Sequence, residues 1–225
     1  DGTAWRAGSS TNFLLETTEV ERPWQGTVIE NPSMVAWDNG YFLAYSANRY
    51  DSTSYATGWA TCSSPGGPCV EHSVHPLLST NDERISPGGP APFVHDGVLH
   101  LGYHGWNPPY HSYPSYPSCD TDGDGYCPEA QRFLFIDTIC VAGDKAWVYE
   151  PHGGPFCDVE AGQYYTEPVA WLAANEITTG ITPTAYGGHQ SVSRGQMATF
   201  LWRLMGEPVA SSPANFGDVS GGRFY

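Results

Sequence analysis

The sequence predicts a mainly β protein that ends in a small α-helical domain. Three observations lead to this fold class: repeated strand–turn–strand patterns in the first 152 residues, helical spacing from residue 165 onward, and a motif that recurs 60 residues further on. The predicted domains are residues 1–152, which are β, residues 156–209, which form one helical repeat, and residues 216–225, which begin a second repeat.

Three hairpins predict the β domain. Residues 35–46 and 93–104 each place strand-forming residues on both sides of a tight turn, at Asn39-Gly40 and at Asp96-Gly97, and a third hairpin turns at Gly143-Asp144. Asn-Gly and Asp-Gly suit two-residue turns because both positions tolerate a positive φ. Strand units at this interval favour about three blades of a β-propeller, and a β-sandwich is the alternative that the hairpins leave open.

Two helices are predicted in the second domain. Pro168 lies near the start of the first helix, where its missing N–H costs nothing. Ser193 and Gln196 form a capping-box pattern at the start of the second helix. One apolar face follows at helical spacing, made of Met197, Phe200, Leu201 and Leu204. Such units stack on neighbouring repeats, so one repeat alone is expected to be only marginally stable.

The charge balance excludes some kinds of partner. The 225 residues include 24 acidic and 9 basic side chains, for a formal net charge of −15. Nucleic-acid binding needs a basic surface, and docking on anionic lipid needs basic segments. A neutral ligand such as a sugar fits this composition, although secreted proteins are often acidic as well. No apolar run is long enough to span a membrane, and we expect both ends of the sequence to be cut.

Six cysteines at loop positions indicate disulfides and therefore an oxidising compartment. Short spacing, with Gly, Pro, Ser and Asp between the cysteines, predicts the pairs Cys62–Cys69 and Cys119–Cys127. Cys140 and Cys157 then remain, and only elimination would pair them with each other.

Four segments of the helical domain resemble the surface-layer homology (SLH) domain. They are residues 156–159, 171–172, 177–180 and 192–201. The resemblance implies attachment to a cell-wall polymer through Arg194 and Gln196. The Thr-Arg-Ala-Glu motif of that family reads Ser193-Arg194-Gly195-Gln196 here, without the final carboxylate, so a helix-capping role for these residues is the alternative.

Several runs in the β domain, taken in order, resemble glycoside hydrolase family 43. They are residues 24–35, 41–46, 55–69, 86–89, 103–106 and 132–137. The family is a five-bladed propeller that acts largely on arabinose- and xylose-containing polysaccharides. The resemblance therefore implies an incomplete five-bladed β-propeller, cut at its N-terminus and followed by a small α-helical SLH repeat.

The resemblance assigns the general acid to Glu30, which precedes the Pro-Ser-Met-Val strand. Glycoside cleavage needs a carboxylic acid that protonates the leaving oxygen and a carboxylate that activates water on the opposite face. The base aspartate and the pKa-tuning aspartate of the family would both precede residue 1. The 225 residues alone are therefore expected to be inactive. Without the resemblance, Glu30 would be read as an ordinary carboxylate at a strand edge.

Three further residues of the β domain are candidates for sugar contact. His104 and Trp106 end a predicted strand, and Arg132 begins the next one. Packing for His104 and a surface salt bridge for Arg132 are the alternatives.

Residues 107–130 interrupt the family pattern and carry a candidate calcium loop. Asp120, Asp122 and Asp124 alternate before Gly125, as in the first half of an EF-hand loop, but Gln131 replaces the glutamate at the twelfth position. An acidic turn closed by a disulfide is the alternative.

Together these observations predict a secreted, cell-wall-associated glycoside hydrolase. Its expected substrate is a plant polysaccharide that contains arabinose or xylose, cleaved with inversion, and calcium is the expected cofactor. The alternative is a non-catalytic surface adhesin in which a degenerate propeller binds glycan. Two aspartates at the family positions, in sequence that precedes residue 1, would favour the enzyme.

Overall fold

The structure is a computed structural model. It describes residues 14–17, 20–111, 127–149, 155–211 and 216–217. The chain divides into two compact units, residues 1–149 and 150–225. The described residues of the first unit form eight strands: β1 (Ile29–Trp37), β2 (Gly40–Ala47), β3 (Ala56–Cys62), β4 (Cys69–Glu71), β5 (Ile85–His95), β6 (Val98–Trp106), β7 (Arg132–Ala142) and β8 (Lys145–Val148). They form two antiparallel four-stranded sheets, β1-β2-β3-β4 and β5-β6-β7-β8. The mainly β prediction is therefore confirmed, with two complete sheets in the described residues where about three blades were expected.

The three predicted hairpins are present, and one turn differs by a residue. Asp96 and Gly97 connect β5 to β6, and Gly143-Asp144 connects β7 to β8. The first turn consists of Asp38 and Asn39, because Gly40 already pairs with Trp37. Gly40 is instead required by packing, since a Cβ at that position would lie 2.7 Å from the carbonyl oxygen of Cys62 on β3.

The two sheets share one hydrophobic core. Buried side chains from β2 and β3 meet buried side chains from β6 and β7, and the group comprises Phe42, Ala44, Trp59, Leu78, Leu99, Leu101, Tyr103 and Ile139. Phe42 stacks on Trp59 with ring centroids 5.5 Å apart. Large aromatic side chains contribute most of the area that such a core buries, so this interface holds the two sheets together.

A buried ion pair lies beside this core. The guanidinium of Arg84 contacts the carboxylate of Asp137 at 2.9 Å, and the hydroxyl of Tyr103 donates to the same carboxylate at 2.7 Å. Arg84 is 8% exposed. Because Arg84 precedes β5 while Asp137 lies on β7, the pair ties the beginning of this sheet to its third strand.

The two sheets are built on one pattern, offset by 58 residues at their first hairpins. Trp37 pairs with Gly40 as His95 pairs with Val98. Further from the turn, Glu30 pairs with Ser46 just as Gly88 pairs with His104. Glu30 and Gly88 therefore occupy equivalent positions on the two leading strands.

The second unit contains helices α1 (Thr166–Ala174) and α2 (Arg194–Leu204). Phe156, Val159 and Val169 form its small core. Asp158 closes the loop above it by accepting hydrogen bonds from the backbone N–H groups of Tyr186 and Gly187, at 2.7 and 2.8 Å. None of the described helices is long and apolar enough to cross a membrane.

The predicted capping box is confirmed at the start of α2. Ser193 accepts from the N–H of Gln196, and the side chain of Gln196 accepts from the N–H of Ser193. The predicted apolar face is present, but Met197, Leu201 and Leu204 are each about half exposed and no residue of α2 is buried. Periodicity predicts that a helix has an apolar face, whereas the burial of that face depends on another element that packs against it.

Candidate functional site

A β-bulge sets the position of Glu30. Glu30 pairs with Ser46 and Ser33 pairs with Ala44, so three residues of β1 span the distance that two residues of β2 span. Asn31, inside the bulge, adopts a left-handed φ of 49°, which asparagine tolerates better than most residues do. Bulges of this kind redirect a side chain and are common beside active sites.

The carboxylate of Glu30 accepts a hydrogen bond from Tyr55. The phenol oxygen of Tyr55 lies 2.7 Å from Oε1 of Glu30, and the side-chain amide of Asn31 lies 3.4 Å from the same phenol. Tyr55 is 2% exposed, whereas Glu30 is partly buried. Burial raises the pKa of Tyr55, and its hydrogen bond to Glu30 raises it further. Tyr55 therefore keeps its proton and donates a hydrogen bond to the carboxylate.

A cavity of about 270 Å³ borders the same stretch of β1. Leu14, Leu15, Ile29, Glu30, Pro32, Leu43 and Tyr45 line it. Most of these walls are apolar, as in small-molecule sites that place a few polar groups in a hydrophobic setting. Among the described lining residues the carboxylate is that of Glu30, whereas the hydroxyl of Tyr45 is engaged with Gln25 and Glu71.

The other three sugar-contact candidates come together on the second sheet. Trp106 and Arg132 are directly opposite in the β6–β7 ladder, and His104 precedes Trp106 by two residues, so all three share one face. The guanidinium of Arg132 lies 4.6 Å from the centre of the Trp106 ring and also contacts Nδ1 of His104. Among the described residues, Arg132 thus contacts two side chains of β6.

The protonation of His104 follows from this contact. Burial lowers the pKa of His104, and the positive charge of Arg132 lowers it further. Because Arg132 can only donate, a neutral His104 accepts at Nδ1 and carries its proton on Nε2. A polar donor on an aromatic platform is chemically suited to a sugar, which offers hydroxyl groups and C–H faces.

Backbone contacts connect the two groups of candidates. Ser46 is the β2 partner of Glu30, and its hydroxyl accepts from the N–H of Gly89 at 2.9 Å. Gly89 lies against His104, since a Cβ at that position would be 2.9 Å from the imidazole ring. Glu30 and His104 therefore lie on one continuous network through β1, β2, β5 and β6.

Sequence reasoning assigned no role to Tyr55 or Gly88. In the sequence, Tyr55 is only one member of a run that resembles family 43. Its contact with Glu30 depends on strand register, which the sequence does not show. The offset between the two hairpins is a usable signal, since it aligns Gly88 with Glu30 and marks the position where a side chain is missing.

The disulfide predictions are partly tested. The Cys62–Cys69 bond is confirmed, and it joins directly opposite residues of β3 and β4. Cys127, Cys140 and Cys157 are also disulfide-bonded. Cys119 lies outside the described residues, so its pairing with Cys127 stays a prediction.

The predicted calcium loop, Asp120, Asp122 and Asp124, also lies outside the described residues. Within the described ranges, no three His, Cys, Asp or Glu side chains are grouped so that they could hold a metal ion. On α2, Gln196 is occupied by the capping box and Arg194 begins the helix.

Residues 155–198 match the family of the S-layer homology domain. This part of the chain is an SLH domain, as the sequence motifs indicated. No curated protein matches the chain.

Glycoside hydrolases are among the solved structures that are similar to the chain. A thermostable family-43 glycoside hydrolase is 27% identical over 58% of this chain and 39% of its own, with a TM-score of 0.43. An endo-1,4-beta-xylanase from Bacteroides thetaiotaomicron is 25% identical over 56% of this chain and 40% of its own, with a TM-score of 0.41. An alpha-L-arabinofuranosidase from Lactobacillus brevis is 24% identical over 55% of this chain and 38% of its own, with a TM-score of 0.40. The chain thus spans about two fifths of each structure, and TM-scores of this size do not establish a shared fold.

Proposed function

We propose that the intact protein is a secreted glycoside hydrolase that cleaves arabinose- or xylose-containing plant polysaccharide with inversion. Glu30 is its general acid. The observation that carries this proposal is the setting of Glu30, which lies on a bulged strand beside a mostly apolar cavity and is fixed by a buried tyrosine. The ordered motif runs of residues 24–137 support the choice of reaction.

The chemistry assigned to this chain is the proton donation. Glu30 gives its proton to the glycosidic oxygen as the bond to the sugar carbon breaks, and water attacks the opposite face of the ring. A second carboxylate must remove a proton from that water, and the family resemblance places it before residue 1. The 225 residues alone are therefore proposed to bind sugar without turning it over.

His104, Trp106 and Arg132 form a sugar-contact group in this proposal. The Trp106 ring offers an apolar platform, and the Nε2–H of His104 offers a donor for a hydroxyl. Arg132 orients both side chains through its contacts with them. Replacing Trp106 with Ala is then expected to weaken oligosaccharide binding and to leave the Glu30–Tyr55 contact in place.

The experiment is an assay of sugar release by the intact protein. Arabinan, arabinoxylan and nitrophenyl glycosides of arabinose and xylose are compared for the wild type, for Glu30→Gln and for the exposed control Glu21→Gln. Loss of a positioned proton donor is expected to reduce the rate roughly 10²–10⁴-fold on unactivated substrates. Absence of any sugar release, with oligosaccharide still bound, would refute the enzyme and favour a glycan-binding adhesin.

The SLH domain is proposed to attach the protein to a polysaccharide of the cell wall. Arg194 is the proposed polymer contact, while Gln196 has its structural role in the helix cap. The measurement is co-sedimentation of the protein with purified cell walls. Arg194→Ala is expected to release it, and Ser193→Ala serves as the control that weakens the same helix end without removing the charge.

A further inference from the structure

Tyr55 is held more tightly than a chance neighbour of Glu30 would be. Its phenol donates to Oε1 of Glu30 at 2.7 Å. Its ring fills the space above Gly88, where a Cβ would lie only 2.0 Å from Cε1 of the tyrosine. Because Gly88 is the equivalent of Glu30 on the second sheet, that sheet has no side chain at the position where the first carries its carboxylate.

The backbone around Tyr55 is fastened to the second sheet as well. The hydroxyl of Ser86 donates to the carbonyl of Ser52 at 2.9 Å, and the N–H of Tyr55 donates to the same carbonyl at 3.2 Å. On the other side, the hydroxyl of Thr57 donates to the carbonyl of Pro87 at 3.2 Å. Contacts on both sides of Tyr55 therefore fix its ring relative to β5.

We propose that Tyr55 is a positioning residue that occupies Oε1 of Glu30, so that the acidic proton is carried by Oε2. This inference rests on the proposed function, in which Glu30 is the acid. A protonated carboxyl has one O–H group and one carbonyl oxygen, and the oxygen that accepts from Tyr55 is the carbonyl oxygen. The proton then has one location, from which it is transferred to the leaving group.

The same hydrogen bond stabilises the product of the transfer. When the Oε2–H bond breaks, the proton forms an O–H bond with the glycosidic oxygen. The electrons of the broken C–O bond remain on that oxygen, and water provides the new substituent on the sugar carbon. Glu30 is left as a carboxylate whose Oε1 still accepts from Tyr55. A hydrogen bond to a charged group is worth roughly 10- to 100-fold in an equilibrium or rate.

The first test compares leaving groups in the intact protein. Tyr55→Phe removes one oxygen atom and keeps the ring that fills the space above Gly88. We expect kcat to fall roughly 10- to 100-fold for unactivated oligosaccharides. For dinitrophenyl glycosides, whose leaving group departs without protonation, we expect less than about a threefold loss. Tyr50→Phe, at an exposed tyrosine, is the control. Equal losses on both kinds of substrate would show that Tyr55 only supports the fold and would overturn the proposal.

The second test needs no turnover. With tyrosine labelled at its ζ carbon, NMR follows the titration of Tyr55, which Tyr55→Phe identifies by its absence. Glu30→Gln is expected to lower the pKa of Tyr55, because it removes a negative charge and a strong acceptor. An unchanged titration would overturn the proposal. A wild type that cleaves no substrate refutes the proposed function, while this titration still decides whether Tyr55 holds the carboxylate.

Discussion

The ion pair between Arg84 and Asp137 allows a quantitative test of how the second sheet is held together. Asp137→Ala removes the carboxylate that accepts from both Arg84 and Tyr103. Arg84, a residue that is 8% exposed, would then keep only the exposed carboxylate of Glu83, at 3.6 Å, as a counter-ion. Breaking a buried pair in this way costs about 3–5 kcal/mol. The Asp137 side chain is 23% exposed and so partly screened, which places the expectation near the lower end, at about 3 kcal/mol.

The assay is urea unfolding followed by tryptophan fluorescence, with the disulfides intact. With a urea slope of about 2 kcal/mol per molar, the midpoint of the first unit is expected to fall by about 1.5 M. The double variant Arg84→Met with Asp137→Leu removes both charges and is expected to recover most of the loss. Asp51→Ala, which breaks an exposed ion pair with Arg49, is the control and should leave the midpoint unchanged. An Asp137→Ala midpoint equal to that of the control would refute the reasoning.

Four further predictions concern other parts of the chain. Replacing Cys62 and Cys69 with serine opens a disulfide whose cysteines are seven positions apart. Urea unfolding should show that the free energy of unfolding falls by about 2 kcal/mol. An unchanged free energy would mean that the strand pairing alone fixes this hairpin. Because the pKa of His104 is lowered in the folded protein, the unfolded chain takes up a proton first as the pH falls below about 6.5, so stability should decrease there. Arg132→Gln removes one cause of that shift and should raise the pKa of His104 in an NMR titration, and an unchanged value would leave burial as the sole cause. Ser193→Ala removes the N-cap of α2 and should reduce helicity by circular dichroism with a cost of about 1 kcal/mol, unless the helix end is held by other contacts.

Local signals predicted the parts of the fold that depend on neighbouring residues. The Asp96-Gly97 turn and the Ser193–Gln196 capping box are each specified within a few positions, and the structure contains both. The Cys62–Cys69 bond was predictable for the same reason, since only six residues separate the two cysteines. The first turn, which is shifted by one residue, shows the limit of local signals. Gly40 is required because its backbone lies close to a carbonyl on β3, and the sequence does not reveal that approach.

The candidate site could be predicted only in part. Glu30 was identified by resemblance, and His104, Trp106 and Arg132 by their positions at strand ends. The side chains that contact these residues could not be identified from resemblance or from strand ends. Tyr55 is 25 positions from Glu30, and its contact exists only after β1, β2 and β3 have paired in a specific register. The exposure of the apolar face of α2 could not be predicted for a related reason. An apolar face in the sequence does not indicate which surface, if any, packs against it.

The last strand of each sheet, β4 in the first and β8 in the second, has a consequence for the behaviour of the protein at high concentration. β4 is three residues long and β8 is four, and the Cys62–Cys69 bond fixes β4 to its neighbour. An exposed strand edge is a template on which another chain can add a strand, and its reach grows with its length. These two edges offer few unpaired backbone groups, and Lys145 adds a charge at the start of β8. Strand addition at these two edges is therefore disfavoured, so the sheets are expected to resist association with other chains at high protein concentration.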